Sequence, residues 1–172
     1  TDDHGAWAAG FAGNRELLTP MLDQLAREGH SFANAFTASP VCSPARACLL
    51  TGQTPSQIGI HDWLQEAEPD IAGYDWLAGQ PTLFDLFHAQ GYATALSGKW
   101  HLGRSHLPPA IADYHFGLPG WQGSHNTAYT YIRNGEKVTL TGNKSAFITD
   151  HALDFLNQAP HDRPFFLNVG YI

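Results

Sequence analysis

The sequence predicts an α/β protein with a mostly parallel sheet flanked by helices. Residues 81–91 have the spacing of an amphipathic helix that ends at a glycine, and residues 92–97 follow directly as a short apolar strand. Residues 148–156 and then 165–169 repeat this order of helix, turn and strand. Helices and strands that alternate with short links form parallel sheets covered by helices, which is the basis of the predicted class.

The first 36 residues contain one helix pattern and one strand pattern. Thr19 suits an N-cap, Pro20 suits the first helical position, and Gly29 is a typical end signal. Residues 31–36 alternate between larger and smaller side chains, which predicts a short strand.

The stretch from residue 104 to 143 is rich in Gly, Pro, His and aromatic residues and predicts long surface loops. Within it, residues 129–133 and 137–140 flank Asn134-Gly135, a dipeptide that favours a two-residue hairpin turn. Long loops of this kind in α/β proteins often shape a substrate site.

The composition excludes some classes of function. A chain of 172 residues corresponds to about one domain at roughly 100–200 residues per domain. Nine Lys and Arg against sixteen Asp and Glu give a net charge of −7, which argues against nucleic-acid binding. Apolar runs are far shorter than the roughly 20 residues of a membrane-spanning helix, so none is predicted.

Cys42 lies at the start of a predicted helix that runs to Thr51-Gly52. Pro44 suits the first turn, and Arg46 follows Cys42 by four residues, about one turn. A helix N-terminus favours anions, so a nucleophile there with an arginine predicts a site for a tetrahedral anion. The same pattern also fits a structural cysteine with a surface arginine. Cys48 lies six residues along the helix, about 9 Å away, which is too far for a disulfide with Cys42.

Two further segments carry polar groups suited to chemistry. Asp2 and Asp3 offer hard oxygen donors for Ca²⁺ or Mg²⁺, although, taken alone, the pair favours a solvated acidic terminus. Lys99 and His101 directly follow the strand at residues 92–97, where open α/β sheets bind ligands. In an extended backbone these two side chains share one face, with Trp100 on the other.

Together, four segments resemble the sulfatases of the alkaline-phosphatase superfamily. Residues 42–46 (Cys-Ser-Pro-Ala-Arg) match the C-x-P-x-R core of the sulfatase signature, and residues 98–103 match a G-K-W-H-L-G block. Residues 2–5 resemble the first metal motif of the family, and residues 19–26 its first helix. The order and spacing of these segments agree with the family across essentially the whole chain.

The resemblance implies a catalytic mechanism. In this family the signature cysteine is oxidised by a separate maturation enzyme to Cα-formylglycine (3-oxoalanine), whose hydrate attacks the sulfur of a sulfate ester. Carried over, Cys42 would supply the nucleophile and Arg46 would stabilise it. Lys99 would bind the sulfate oxygens, and His101 would orient or deprotonate the hydrate. Asp2 and Asp3, with the hydrate at Cys42, would bind Ca²⁺ (or Mg²⁺), which polarises the sulfate oxygens.

The resemblance also predicts the extent and surroundings of the protein. Residues 1–172 would form the amino-terminal portion of a sulfatase catalytic domain, lacking a first strand and the carboxy-terminal half, and would be inactive alone. The remaining metal ligands would lie beyond the chain, because Ca²⁺ takes about 6–8 oxygens. The substrate would be a sulfated carbohydrate or a small aryl or alkyl sulfate. A periplasmic or secreted location is implied, with a lysosomal one as the alternative.

Three other functions fit parts of the same pattern. A phosphonate or phosphate monoester hydrolase of the superfamily would share the nucleophile and metal. A non-catalytic relic that binds anions or glycans would not need the maturation signature, and a thiol hydrolase would need unmodified Cys42 beside His101. Exposed aromatic residues can stack on sugars, although we favour ordinary loop packing; the residues concerned are Trp63, Trp76, Trp121 and Tyr129, with His61 and Asp62 nearby.

Overall fold

The computed structural model describes residues 2, 4–5, 7–65, 74–103, 112–118 and 128–172. The chain divides into two compact units, residues 1–37 and residues 38–172. The predicted positions Asp3 and Trp121, and most of the predicted loops between residues 104 and 127, lie outside the described residues.

The first unit contains a 3₁₀ turn at Gly10–Ala12 and the helix α1, Pro20–Glu28. Thr19 and Gly29 bound α1 as the sequence predicts. The Thr19 hydroxyl accepts a hydrogen bond from the Gly10 N–H at 2.7 Å and donates to the Asp23 carboxylate at 2.9 Å. These side-chain bonds therefore hold the 3₁₀ turn against the start of α1.

The second unit is built on a mixed five-stranded sheet. Its strands are β1 (Ala93–Gly98), β2 (Tyr114–Gly117), β3 (Ala128–Arg133), β4 (Glu136–Thr141) and β5 (Phe165–Gly170). Their order in the sheet is β4-β3-β2-β1-β5. β1 pairs in parallel with both β2 and β5, whereas the β2–β3 and β3–β4 pairs are antiparallel. The predicted α/β class is confirmed, and the predicted hairpin supplies the antiparallel edge.

Four described helices surround this sheet: α2 (Cys42–Thr51), α3 (Pro55–Ile58), α4 (Leu83–Ala89) and α5 (Lys144–Gln158). α5 contacts β1, β5 and β2, whereas α4 contacts β1 and packs against α2. Asn143 caps α5 by accepting a hydrogen bond from the Ala146 N–H at 3.0 Å, which satisfies one of the free donors of its first turn.

Two apolar cores form in the second unit because strand β1 presents alternate side chains to opposite faces. Ala93 and Ala95 belong to the core that includes residues of α5, whereas Leu96 belongs to the core that includes residues of α2 and α4. The second core, termed here the α2 core, consists of Ala47, Leu50, Ile60, Leu64, Leu77, Phe84, Leu96 and Leu102. Since Leu102 is 1% exposed, the α2 core extends directly beneath the segment that follows β1.

The structure corrects three of the predicted elements. Residues 31–36 form no strand, and Phe32 and Phe36 are 79% and 91% exposed, so neither face of the segment is buried. The helix predicted from residue 81 begins at Leu83, because Thr82 and Asp85 form a reciprocal capping box. The four-residue strand β2, within the predicted loop region, was not predicted because it is buried throughout and shows no alternation of polar and apolar residues.

Candidate active site

Helix α2 begins at Cys42, as the sequence predicts, and Cys42 is half-buried at its first position. The N-cap residue Val41 is extended and has no side-chain acceptor for the free N–H groups of the first turn. Ser43 and Pro44 are buried directly behind Cys42, and Gly52 ends the helix in the left-handed conformation with φ 69°. The helix N-terminus therefore presents donors and a partial positive charge beside the candidate nucleophile.

Arg46 joins α2 to the end of β1. Its Nη1 donates a hydrogen bond to the carbonyl oxygen of Lys99 at 2.9 Å, across 53 residues of sequence. Arg46 is half-buried, and it lies one helical turn after Cys42. The bond holds the guanidinium at the carboxyl edge of the sheet, the edge at which the sequence predicts a ligand site.

The Lys99 backbone is fixed by its neighbour strand. The Lys99 N–H donates to the Gly170 carbonyl at 2.8 Å, directly after the paired residues Gly98 and Gly170. Gly98 has φ 109°, a conformation that L side chains rarely adopt, so the chain turns away from the sheet at this point. Lys99 therefore stands where β1 and β5 both end.

His101 is held in an unusual backbone conformation. Its φ is 60°, in the left-handed region, so residues 99–101 are not extended as the face prediction assumed. Its Nε2 donates to the carbonyl oxygen of Leu64 at 2.8 Å, and its ring packs edge-on to Trp63 with centroids 6.3 Å apart. Trp100 does pack away from the site, against the α2 core, as predicted.

Leu64 links His101 to helix α2. Its N–H donates to the Ser43 hydroxyl at 3.0 Å, while its carbonyl accepts from His101. Ser43 is fully buried, and Leu64 is 6% exposed. The backbone of one residue, Leu64, therefore connects the start of α2 to the segment after β1. The sequence offered no signal for this role, because the contact is made by backbone atoms.

The metal predictions find limited support in the described residues. Asp2 is half-buried in the first unit, and Asp3 lies outside the described residues. In the described part of the chain, no three His, Cys, Asp or Glu side chains are grouped so as to hold a metal ion. The hard oxygens of aspartate suit Ca²⁺, but the described donors do not fill its coordination shell without further ligands.

Cys42 and Cys48 are both free thiols, which confirms that the signature does not form a disulfide. Burial raises the pKa of the Cys48 thiol above its ordinary value. Cys48 is half-buried, and it lies six residues along α2 from Cys42.

Three of the four candidate sugar-stacking residues are described, and they differ in their surroundings; Trp121 lies outside the described residues. Trp63 is 51% exposed beside His101, and His61 and Asp62 next to it are exposed. Tyr129 is 2% exposed and belongs to the core packed with α5, so it cannot stack on a ligand. Trp76 packs against the α2 core and the Tyr74 ring, as the loop-packing interpretation predicts.

Two buried histidines on the sheet and α5 were not singled out by the sequence. His151 Nδ1 is hydrogen bonded to the Tyr114 hydroxyl at 2.7 Å, and its ring stacks on Phe116 at 3.7 Å. His115 is 1% exposed, and neither ring nitrogen has a hydrogen-bond partner in the described structure. Burial lowers the pKa of His115 to about 4 and also lowers the pKa of His151.

No helix in the described part of the chain is both long enough and apolar enough to cross a membrane.

Comparison with known proteins identifies this arrangement. A family model described as Sulfatase matches residues 1–172. The human N-acetylgalactosamine-6-sulfatase is 31% identical over 193 residues, covering 96% of this chain and 36% of that protein. An ulvan-active sulfatase of Formosa agariphila is 34% identical over 180 residues, covering 99% of this chain and 33% of that protein. The chain thus spans about a third of the length of these relatives.

Solved structures share the fold. A protein solved in complex with its substrate, D-glucosamine-2-N,6-O-disulfate, superposes with a TM-score of 0.81 at 28% identity, covering 98% of this chain and 32% of that one. The protein Ps i-CgsB, solved with k-i-k-neocarrahexaose, gives a TM-score of 0.84 at 27% identity, covering 99% of this chain and 43% of that one. With the α2 signature, the carboxyl-edge site and the family match in agreement, the chain belongs to the sulfatase family.

Proposed function

We propose that this chain supplies the nucleophile half of an active site that hydrolyses sulfate esters through a formylglycine at Cys42. One observation carries the proposal: Cys42 begins α2, and Arg46, one turn later, is bonded to the Lys99 backbone at the carboxyl edge of the sheet. An ester that is a tetrahedral anion would bind well here, because the site combines a nucleophile, a helix N-terminus and two cationic residues on adjoining segments.

In the proposed reaction a maturation enzyme first oxidises the Cys42 side chain to an aldehyde with a two-electron oxidant such as molecular oxygen, and the sulfur leaves as sulfide. The aldehyde then adds water to give two hydroxyl groups. One hydroxyl oxygen bonds to the sulfur of the ester as the bond from sulfur to the alcohol oxygen breaks, and the alcohol leaves with a proton. Loss of the proton from the second hydroxyl then re-forms the aldehyde and releases sulfate. Dividing the hydrolysis into these two steps is nucleophilic catalysis.

The other residues of the site have distinct proposed roles. Arg46 stabilises the hydrated side chain of residue 42, and Lys99 binds sulfate oxygens as negative charge develops. His101 orients or deprotonates the hydrate, since a histidine exchanges protons near neutral pH. The Leu64 carbonyl fixes the His101 ring through Nε2, which supports a defined orientation of its other nitrogen.

The proposal includes a divalent cation, Ca²⁺ or Mg²⁺. Asp2 and Asp3 are the proposed carboxylate ligands in this chain, together with the oxygen of the modified Cys42 side chain. When bound, such an ion polarises the sulfate oxygens. Ligands beyond these residues are needed to complete a shell of about 6–8 oxygens.

The proposed substrate is a sulfated carbohydrate. Trp63 supports this class, because an indole that is half-exposed beside His101 offers an apolar face at the rim of the site. The relatives named above include a sulfatase of N-acetylgalactosamine-6-sulfate and an ulvan-active sulfatase, and one structural neighbour holds a sulfated glucosamine. We also propose a periplasmic or secreted location.

The first test is the mass of the tryptic peptide of residues 28–46, from protein made with and without a formylglycine-generating enzyme. The proposal expects an aldehyde in place of the thiol at Cys42 only when that enzyme is present. Cys48→Ser is the matched control, because it removes the other cysteine and leaves the signature intact. A thiol at Cys42 in both preparations would overturn the proposed nucleophile.

The second test compares hydrolysis of an aryl sulfate with that of an aryl phosphate by the full-length gene product with Ca²⁺. The proposal expects sulfate hydrolysis to be faster and to be lost in Cys42→Ala but kept in Cys48→Ser. Faster phosphate hydrolysis would assign the site to the phosphonate and phosphate hydrolases of the superfamily. Activity that persists without maturation and is lost on thiol alkylation would indicate a thiol hydrolase instead.

A further inference from the structure

Gly170 ends β5 at the point where the candidate site begins. It pairs in register with Gly98 of β1, and its carbonyl accepts the hydrogen bond from the Lys99 N–H at 2.8 Å. Gly170 is itself buried. It is not part of any motif singled out in the sequence.

A side chain at residue 170 would collide with the bond between Arg46 and Lys99. A Cβ atom placed on Gly170 would lie 2.7 Å from the Lys99 carbonyl oxygen and 3.1 Å from Arg46 Nη1. These two atoms are the acceptor and the donor of the 2.9 Å hydrogen bond. The same Cβ would lie 3.1 Å from the Lys99 nitrogen, so backbone atoms surround it and cannot rotate away as a side-chain tip can.

Glycine is needed at this position because there is no room for a side chain, and not because of the backbone conformation. Gly170 does not have a positive φ, whereas Gly98 opposite it has φ 109°. The backbone at residue 170 therefore suits any residue, and only the close approach of Arg46 and Lys99 excludes a side chain.

We propose that Gly170 is a positioning residue of the active site. By having no side chain, it lets the Arg46 guanidinium reach the Lys99 carbonyl, and its own carbonyl fixes the Lys99 backbone. Gly170 thus sets the positions of two cationic residues without touching the substrate. The inference rests on the proposed function of Arg46 and Lys99.

Gly117 provides a matched control within the same sheet. It pairs with Gly98 from the other side, at the end of β2, and it too lacks a positive φ. A Cβ on Gly117 would lie 2.6 Å from His115 Nε2, and no closer than 3.6 Å to the Gly98 carbonyl oxygen. Gly117→Ala therefore adds the same methyl group at the same level of the sheet, but it crowds a side chain instead of the Arg46–Lys99 bond.

The kinetic test uses the matured full-length protein with Gly170→Ala and Gly117→Ala. We expect Gly170→Ala to lower kcat at least tenfold with less than a threefold change in KM, because small misplacements of catalytic groups cost about 10- to 100-fold. We expect Gly117→Ala to keep kcat within about twofold of the unmodified protein. Equal kcat values for the two variants would overturn the proposal.

A double-mutant cycle separates positioning from general structural damage. In an Arg46→Ala background, adding Gly170→Ala is expected to lower kcat by less than threefold, because its effect acts through Arg46. If the two substitutions together lower kcat by the product of their separate effects, the positioning role is contradicted. Failure of Gly170→Ala to fold where Gly117→Ala folds would also overturn it, by making Gly170 a folding residue.

Amide hydrogen exchange provides a readout that does not depend on activity. The Lys99 amide is expected to exchange at least tenfold faster in Gly170→Ala and at an unchanged rate in Gly117→Ala, because only the first variant displaces its acceptor. Unchanged Lys99 exchange in Gly170→Ala would refute the inference. A protein that shows the exchange effect but hydrolyses no sulfate ester would refute the proposed function and leave the positioning of Lys99 by Gly170 intact.

Discussion

Stability of the second unit should depend on pH in large part through the buried histidine His115. The side chain is 1% exposed on strand β2, and burial lowers its pKa from 6.5 to about 4. Between these two values the unfolded chain binds a proton at this residue that the folded chain does not bind. The free energy of unfolding therefore falls as the pH drops from about 6.5 to about 4, and this contribution is constant outside that range.

The size of the effect follows from the two pKa values. The difference between 6.5 and about 4, at about 1.4 kcal/mol for each pH unit, gives a full loss of about 3–4 kcal/mol below pH 4. At pH 4.5 most of this loss is already present. That is a large fraction of the roughly 5–15 kcal/mol that stabilises a typical domain.

The assay is urea unfolding of the full-length protein at pH 7.5 and at pH 4.5, with and without His115→Leu. Other groups also titrate over this interval, so the informative quantity is the difference between the two proteins. The unmodified protein is expected to lose about 2–3 kcal/mol more than His115→Leu on acidification. Ile148→Val, a change at a buried apolar residue, controls for a general loss of stability. The same acid-dependent loss in His115→Leu as in the unmodified protein would refute the reasoning.

Three further predictions concern the site rim, the core and a helix cap. Trp63→Ala should raise KM for a sulfated oligosaccharide about fivefold and leave KM for a small aryl sulfate unchanged. Trp63→Phe should keep both KM values close to those of the unmodified protein. Equal changes in KM for both substrates would contradict stacking. Phe84→Ala should cost about 3–5 kcal/mol in urea unfolding, because the ring is 1% exposed and packs against Trp100; a cost below about 1 kcal/mol would show that the core refills the cavity. Thr82→Ala should cost about 0.5–2 kcal/mol in the same assay, because it removes the capping box with Asp85, and an unchanged unfolding midpoint would contradict that role.

The sequence was most informative where the signal is local. The helix–strand units and the hairpin at Asn134-Gly135 were predicted because caps, glycine ends and turn dipeptides act within a few residues. Asn134 and Gly135 have φ values of 50° and 88°, as a two-residue turn of this type requires. Residues 31–36 show the limit of such patterns: alternation predicts a strand, but a strand also needs a neighbour to pair with.

The candidate site was predicted only in part, for a different reason. The motif positions Cys42, Arg46, Lys99 and His101 carry side chains whose chemistry is readable in the sequence. The atoms that hold these residues in place are mainly backbone atoms, including the carbonyls of Lys99, Leu64 and Gly170. Every residue has a backbone carbonyl, so no residue type marks these positions before the fold is known.

Holding Arg46 by a carbonyl has a chemical consequence. A carboxylate in the place of the Lys99 oxygen would bind the guanidinium more strongly and would cancel its charge. The carbonyl accepts a hydrogen bond and leaves the formal positive charge in place. For a site proposed to bind an anion, this bond orients Arg46 while preserving the electrostatic attraction that the chemistry uses.

The backbone conformation of His101 also indicates a side chain held in a fixed orientation. The left-handed conformation of a non-glycine residue costs free energy, of order 1–3 kcal/mol where it is strained. Such a conformation is kept only when contacts with the surrounding residues hold it. Here the surroundings are the 2.8 Å bond to the Leu64 carbonyl on one side and the buried side chain of Leu102 on the other. His101→Gly would relieve this strain, yet it would remove the ring that bonds Leu64 and packs against Trp63. The strain is therefore located at a residue whose orientation the proposed reaction uses.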